Sequence, residues 1–533
     1  MKLTYAGIGD KAAWAAAKIA LPTYDPAAMA EHTRKHPHWV HFGAGNIFRA
    51  FPARMQDALL CRGEADTGII AAETFDFDIV DKVYAPHDNL CLSVGLRANG
   101  DMVMDVVASV AESIRADAGF AHLKEIFRNP ELQMASFTIT EKGYALRGMD
   151  GSILGVVAAD MENGPAAPKH AMSMVAALLL ERFAAGAHPI AMVSMDNCSQ
   201  NGKKLRAAVT EIARAWHEKG FAGADFLAYV EDEARVSFPW SMIDKITPRP
   251  AKVVEDKLAS LGVEDVSPIV TGRGTYIAPF VNAEIPQYLV VEDNFPAGRP
   301  ALEKAGVYFV TRDVVNQTER MKVTTCLNPL HTALAVYGCV LGYESIAAEM
   351  QDAELTRLVE KIGAQEGMPV VTDPGIFRPI DFLREVMEQR LPNPFIPDTP
   401  QRIATDTSQK VGIRFGETIK SYMASAELNA ASLTGIPLAI AGWLRYLMGV
   451  DDEGKPFDKS GDPMMSALEE IMAGVTLGDA SAAKAAAHKV LSNQSLFGVD
   501  LRQAGLEEKI AEMFAELAAG PGAVRKTLQK YLG

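Results

Sequence analysis

The spacing of apolar positions changes character along this chain. In the first half, short apolar runs separated by amphipathic stretches and polar turns predict strands at Trp39–Phe42, Thr67–Glu73, Val103–Val110, Gln133–Thr140 and Pro189–Ser194. Phe48–Leu60 has the period of an amphipathic helix interrupted at Pro52. Strands alternating with helices, each strand running into a short polar turn, are the pattern of a parallel sheet. Asn294-Phe-Pro-Ala-Gly-Arg-Pro300 is a Pro/Gly-rich seam, and beyond it the helical period dominates. Helices are predicted over 330–350, 354–365, 379–390, 407–424, 433–448, 464–472, 482–491 and 506–519, with a rigid extended linker at Leu391–Pro397. Residues 1–37 read as an arm with one short helix near Lys11–Ile19.

Composition narrows the class. A chain of 533 residues is too long for one core. Its 48% hydrophobic and 22% charged residues describe an ordinary globular protein. A net charge of −15 without a basic run argues against nucleic acid. The five cysteines, Cys61, Cys91, Cys198, Cys326 and Cys339, lack the spacing of a disulfide framework or a zinc knuckle. His32, His36, His38 and His41 cross Pro37 and a strand start, so no face gathers them and no metal is expected. Met1–Leu21 carries Asp10, Lys11 and Lys18 and lacks the apolar core of a signal peptide, and no uncharged run is long enough to span a membrane. The expectation is a cytoplasmic protein, monomeric or a small homo-oligomer.

Two stretches carry chemistry. Trp39-Val-His-Phe-Gly-Ala-Gly-Asn-Ile-Phe-Arg49 is a strand entering Gly43-Ala-Gly45 and a helix, the arrangement that lets backbone approach a pyrophosphate. The third glycine of GxGxxG is replaced by Phe48. The next strand ends in Glu73, placed for a ribose hydroxyl and favouring NAD over NADP. The predicted fold is α/β, with strands and helices alternating over 38–298 and a mainly α-helical C-terminal domain over 299–533. The second stretch is Arg320–Gly342. Asn328-Pro329 reads as a helix start with Asn328 as N-cap, and it brings Lys322, Asn328 and His331 close together at the mouth of a buried helix.

Gly43-Ala-Gly-Asn-Ile-Phe-Arg49, Thr140-Glu-Lys-Gly-Tyr144, Ser194-Met-Asp-Asn197 with Asn201-Gly202, Phe238-Pro239 with Ile243-Asp-Lys-Ile-Thr-Pro248, and Lys322…Asn328…His331 occur in that order. Together they resemble the polyol-specific long-chain dehydrogenases, the family of mannitol 2-dehydrogenase, fructuronate reductase and tagaturonate reductase. The resemblance implies a Rossmann-type N-terminal domain, a mainly α-helical C-terminal domain, and metal-independent hydride transfer between NAD(H) and a small-molecule polyol or sugar acid. It places Gly43, Gly45, Asn46, Ile47, Arg49, Glu73, Thr140, Lys142 and Asn197 at the cofactor. Lys322, Asn328 and His331 fall on the catalytic set, and Asn197, Asp244, Arg402 and Lys410 on the substrate. In one respect the chain departs from its relatives: Pro329 follows the asparagine, and the gap from Lys322 is one residue longer, so the lysine's role depends on a bulge before Asn328.

Without a metal, the hydroxyl proton must go to a side chain. Met321, Val323 and Leu327 give Lys322 the apolar setting in which a lysine can serve as base. Asn328 and His331 would then donate to the developing alkoxide. His331 is the poorer base, because a helix N-terminus disfavours its cation. Among family substrates, D-fructuronate/D-mannonate is favoured over mannitol, since Arg402, Lys410 and Arg414 form a surplus of cations for a carboxylate. The alternatives are a mannitol 2-dehydrogenase or other polyol dehydrogenase and, more distantly, a non-catalytic NAD-binding sensor.

Overall fold

The short apolar runs of the first half become strands. In the computed structural model, which describes residues 1–533, these are β1 (Ile19–Ala20), β2 (Trp39–Phe42), β3 (Ile69–Glu73), β4 (Cys91–Leu96), β5 (Met102–Val107), β6 (Val110–Arg115), β7 (Met134–Phe137) and β8 (Ile190–Ser194). They are followed by β9 (Val236–Ser237), β10 (Ser241–Asp244), β11 (Ile269–Val270), β12 (Tyr276–Ile277), β13 (Phe280–Glu284), β14 (Tyr288–Glu292) and β15 (Tyr308–Val310). Six form one parallel sheet in the order β6-β3-β2-β7-β8-β9. This is the doubly wound order, whose ligands bind beyond the carboxyl ends of the strands where the winding reverses, here between β2 and β7.

Every residue of β2, β3, β7 and β8 is buried, as a sheet covered on both faces requires. The two-residue period sorts their side chains. Val40, Phe42, Ile70 and Ala72 join Leu178, Val209 and Trp216 in one core, whereas Trp39, Ile69 and Ala71 join Phe48 and Leu59 in the other. Each large apolar side chain so buried contributes about 1.5–3 kcal/mol.

The predicted strand Val103–Val110 is in fact two. The chain breaks at Ala108–Ser109, where Ala108 N–H donates to Asp57 Oδ1 (2.8 Å) and Ser109 Oγ to the Ala53 carbonyl (2.6 Å). Only β6 enters the parallel sheet; β5 lies in a second sheet of order β1-β5-β4-β13. Residues 1–37 are not a detached arm, because β1 pairs with β5 and the Pro26–Lys35 helix packs Met29 and Ala30 with Leu60 and Ala111. The expected boundary at residue 298 also moves. Past Pro300 the chain returns as β15 to pair with β14, and the two compact units are Met1–Asn316 and Gln317–Gly533.

The second unit is helical. Its Gly435–Leu447 helix is buried on all sides and packs against Asn328–Leu341. The N-terminus of the former is capped from a distance: Glu366 accepts from the N–H groups of Thr434, Gly435 and Ile436 at 2.6, 2.7 and 2.8 Å. Four π-helical turns interrupt this unit, at Lys322–Cys326, Lys361–Gly367, Val386–Arg390 and Gly412–Gly416. A last helix, Ala523–Leu532, was not anticipated from sequence. No helix is long and apolar enough to cross a membrane.

Candidate active site

In the first unit the candidate residues lie at the carboxyl ends of β2, β3, β7, β8 and β10. Gly43 leaves β2 at φ +99°, and a Cβ there would lie 2.3 Å from the Thr138 carbonyl oxygen, so the turn excludes any side chain. A Cβ on Gly45 would meet no protein atom within 4 Å. The protein itself does not demand glycine there, whereas close approach of a dinucleotide would. Glu73, buried at the end of β3, accepts from Ala44 N–H through Oε2 (2.9 Å) and from Phe75 and Asp76 N–H through Oε1 (2.9 and 3.2 Å). It thus ties the glycine turn to the neighbouring strand, a bond the ribose reading had not foreseen. These features fit a dinucleotide.

Arg49, expected at the cofactor, turns inward. It is 1% exposed and donates to the Ala278 carbonyl (2.7 Å) and to Asn46 Oδ1 (2.7 Å). Asn46 is therefore engaged by Arg49, and Ile47 packs against the core. Thr140, at φ +64°, begins a five-residue helix, Thr140–Tyr144, where a polar turn was expected; Lys142 is exposed on it. Asn197 is exposed beyond β8, and Asp244 is buried as the last residue of β10. His41 is structural. Its ring bonds Ser136 Oγ (2.6 Å) and Thr138 Oγ1 (2.8 Å), and burial pushes it down to about 3.

In the second unit Lys322, 4% exposed, opens a π-helical turn closed by a bond from Leu327 N–H to the Lys322 carbonyl (3.1 Å). A π turn holds one residue more than an α turn, so it absorbs the additional residue between Lys322 and Asn328. Asn328 is the first helical residue; the N-cap position falls on Leu327, at φ −135°, whose side chain has no acceptor, so the side-chain cap expected of Asn328 is not made. His331 Nε2 lies 3.4 Å from Asp398 Oδ2. Burial lowers the imidazole to about 4 against the pull of Asp398, with Arg414, Arg402 and Arg390 also opposing its charge, so His331 is neutral at pH 7.

The basic residues divide by partner. Arg402 is paired with Asp398. Lys410 donates to the carbonyls of Ile403 (3.3 Å) and Thr405, and Arg414 to the Thr332 hydroxyl. These acceptors are neutral, although the Asp406 and Asp462 carboxylates also act on the Lys410 charge. Desolvation lowers both cations, Arg414 to about 10.

Asp398, in the second unit, is not among the residues singled out above, and in the first unit Asp196 and Asn201 stand in the quoted motifs without an assigned role. Asp398 holds both His331 and Arg402, and its only signal was its place four residues before an arginine. Asp196 clasps the ends of β7 and β8, accepting from Ile139 and Thr140 N–H (2.9 Å each) and from the Tyr144 hydroxyl (2.5 Å). Asn201, fully buried, donates to the carbonyls of Ser194, Asp196 and Ser241 and accepts from Ser241 N–H.

Comparison with known proteins gives a consistent result. The family model for the mannitol dehydrogenase Rossmann domain matches residues 37–304, and that for the mannitol dehydrogenase C-terminal domain matches 314–518. The chain is 50% identical to a D-mannonate oxidoreductase of Thermotoga maritima, over 100% of this chain and 99% of that one. It is 30% identical to a mannitol 2-dehydrogenase of Cereibacter sphaeroides, over 85% and 88%. Among solved structures it is similar to a substrate-free D-sorbitol dehydrogenase, with TM-score 0.78, 25% identity and coverage of 97% and 98%. It is also similar to Pseudomonas fluorescens mannitol 2-dehydrogenase in ternary complex with NAD and D-mannitol, with TM-score 0.70, 25% identity and 99% coverage of both.

Proposed function

Because the chain belongs to the mannitol dehydrogenase family, we propose that it is an NAD-dependent oxidoreductase interconverting D-fructuronate and D-mannonate, with Lys322 as the acid and base. NADH, when bound, supplies the hydride that adds to the carbonyl carbon. Gly43, Gly45 and the Glu73–Ala44 bond would hold the dinucleotide's pyrophosphate and ribose end. Lys322 Nζ, in its buried π turn, delivers the proton to the carbonyl oxygen in reduction and removes it in oxidation. Neutral His331 and the Asn328 amide donate to that oxygen as negative charge develops. An imidazole lowered to about 4 is a weak base at neutral pH, which favours Lys322 for the proton.

The observation that carries the substrate assignment is the pairing of the basic residues. Arg414, lowered by burial alone, donates to a neutral hydroxyl near Lys410, and a sugar-acid carboxylate would complete its charge. The 50% identity to a D-mannonate oxidoreductase supports the same reading. A polyol substrate is the second reading, favoured by the Arg402–Asp398 pair, which is already neutral and suited to hydroxyls. Turnover of NADH against D-fructuronate, D-tagaturonate and D-fructose separates the two. D-Fructuronate should give the highest kcat/KM, and a preference for D-fructose would reject the sugar-acid assignment.

A further inference from the structure

Beyond Glu73 the chain does something the family resemblance did not lead us to expect. Phe75 stands in solvent, 64% exposed, and the Arg273 guanidinium lies over its ring at 4.9 Å from the centroid. Arg273 is carried on the Thr271–Thr275 turn of the β11–β12 hairpin, itself closed by a Thr271 N–H to Thr275 carbonyl bond (2.9 Å). Two bonds pin that turn to the segment after β3. Buried Thr271 donates its hydroxyl to buried Asp76 Oδ2 (2.6 Å), and Gly272 N–H donates to Asp78 Oδ2 (2.8 Å). Val270, the last residue of β11 before that turn, is 68% exposed. An exposed cation–π pair adds little stability, so it does not by itself account for an aromatic ring held out in water with a guanidinium lying above it.

The position is informative. β3 is the second strand of the doubly wound order, and the segment leaving that strand faces the adenosine half of a bound dinucleotide. We propose that Phe75 and Arg273 clamp the adenine ring, with the pinned hairpin turn as one jaw. The inference rests on the NAD reading above. A purine presents a flat π face, and an aromatic ring and a planar guanidinium are the two side-chain surfaces on which bases stack without needing sequence-specific hydrogen bonds. Thr271 and Asp76 hold the jaw in register, while Arg273, exposed between two glycines, lifts off Phe75 to admit the base.

The test is binding of NADH, 5′-AMP and reduced nicotinamide mononucleotide to the full chain and to Phe75→Ala and Arg273→Ala. Phe75 is exposed, so its removal does not hollow a core. Each variant should weaken NADH and 5′-AMP by about 5–20-fold and leave the mononucleotide, which lacks adenosine, within twofold. NADH and 5′-AMP affinities within twofold of the unaltered protein would overturn the clamp while leaving the NAD reading intact. A loss at Arg273→Ala tenfold greater for NADPH than for NADH would also overturn it, by making the guanidinium a phosphate ligand. Failure of the unaltered protein to bind NADH would remove the clamp together with the reading beneath it.

Discussion

At the scale of single residues, Lys322 carries the sharpest expectation. Lys322→Ala should lower turnover by about 10²–10⁴-fold, the weight of a general acid–base group, and should abolish the rising limb of the pH profile for alcohol oxidation. Asn328→Ala and His331→Ala should lower turnover and keep that limb. A limb lost with His331 and kept with Lys322→Ala would reverse their roles. Gly43→Ala joins a strained φ to a contact with the Thr138 carbonyl; urea unfolding should show a loss of about 2–3 kcal/mol. Glu349 offers a test on stability alone. Both its carboxylate oxygens are buried without a hydrogen-bond partner, and burial, then the charge of Asp352, raises it well above its ordinary 4.5. The folded state therefore holds this proton more tightly than the unfolded chain. Its stabilising contribution is complete below about pH 4.5 and is lost as pH rises toward the folded value, at up to about 1.4 kcal/mol per pH unit. Glu349→Gln should flatten the fall in stability between pH 5 and 8; an unchanged slope would assign it to other groups.

At the scale of elements, the sequence and the structure part company in an instructive way. Alternation and apolar content mark β2, β3, β7 and β8, because strands buried on both faces leave a local imprint. The π turns leave none. They depend on carbonyls bonding five residues on, which packing against neighbouring helices decides, and Lys322–Cys326 packs against two others, at Lys361–Gly367 and Gly412–Gly416. Types at the site were readable within one segment, as with Lys322, Asn328 and His331. Partners were not: Asp398 reaches His331 from 67 residues away (398 − 331), and Asn201 joins β8 to β10 across 40. The π turn is itself testable. Deleting Val323 should convert it to an α turn and rotate Lys322 by about 100° against the Asn328 helix. Turnover should fall at least about 10²-fold with the far-ultraviolet circular dichroism unchanged. Retained turnover would show that the additional residue has no bearing on the lysine.

At the scale of the whole molecule, the match to the mannitol dehydrogenase Rossmann domain lies wholly within the unit that ends at Asn316, where the proposed function puts the dinucleotide. NADH at a hundred times its Kd should stabilise that unit by about 2.7 kcal/mol. Hydrogen exchange should slow first at residues 39–50 and 69–76. Protection confined to 317–533 would place the cofactor elsewhere.

The Gly412–Gly416 turn, which carries Arg414, has a further consequence for how the chain is made. A Cβ on Gly416 would lie 1.9 Å from the Phe497 carbonyl oxygen, so backbone rests directly on backbone there. A ribosome adding about 5–20 residues per second reaches Phe497 roughly 4–16 s after Gly416. During that interval the emerging polypeptide has its lysine, its histidine and its arginines, and no floor under the turn that carries Arg414. Under the sugar-acid reading, competence to bind a carboxylate arrives late in synthesis, which would set a truncated product apart from a finished one by its chemistry and not only by its length.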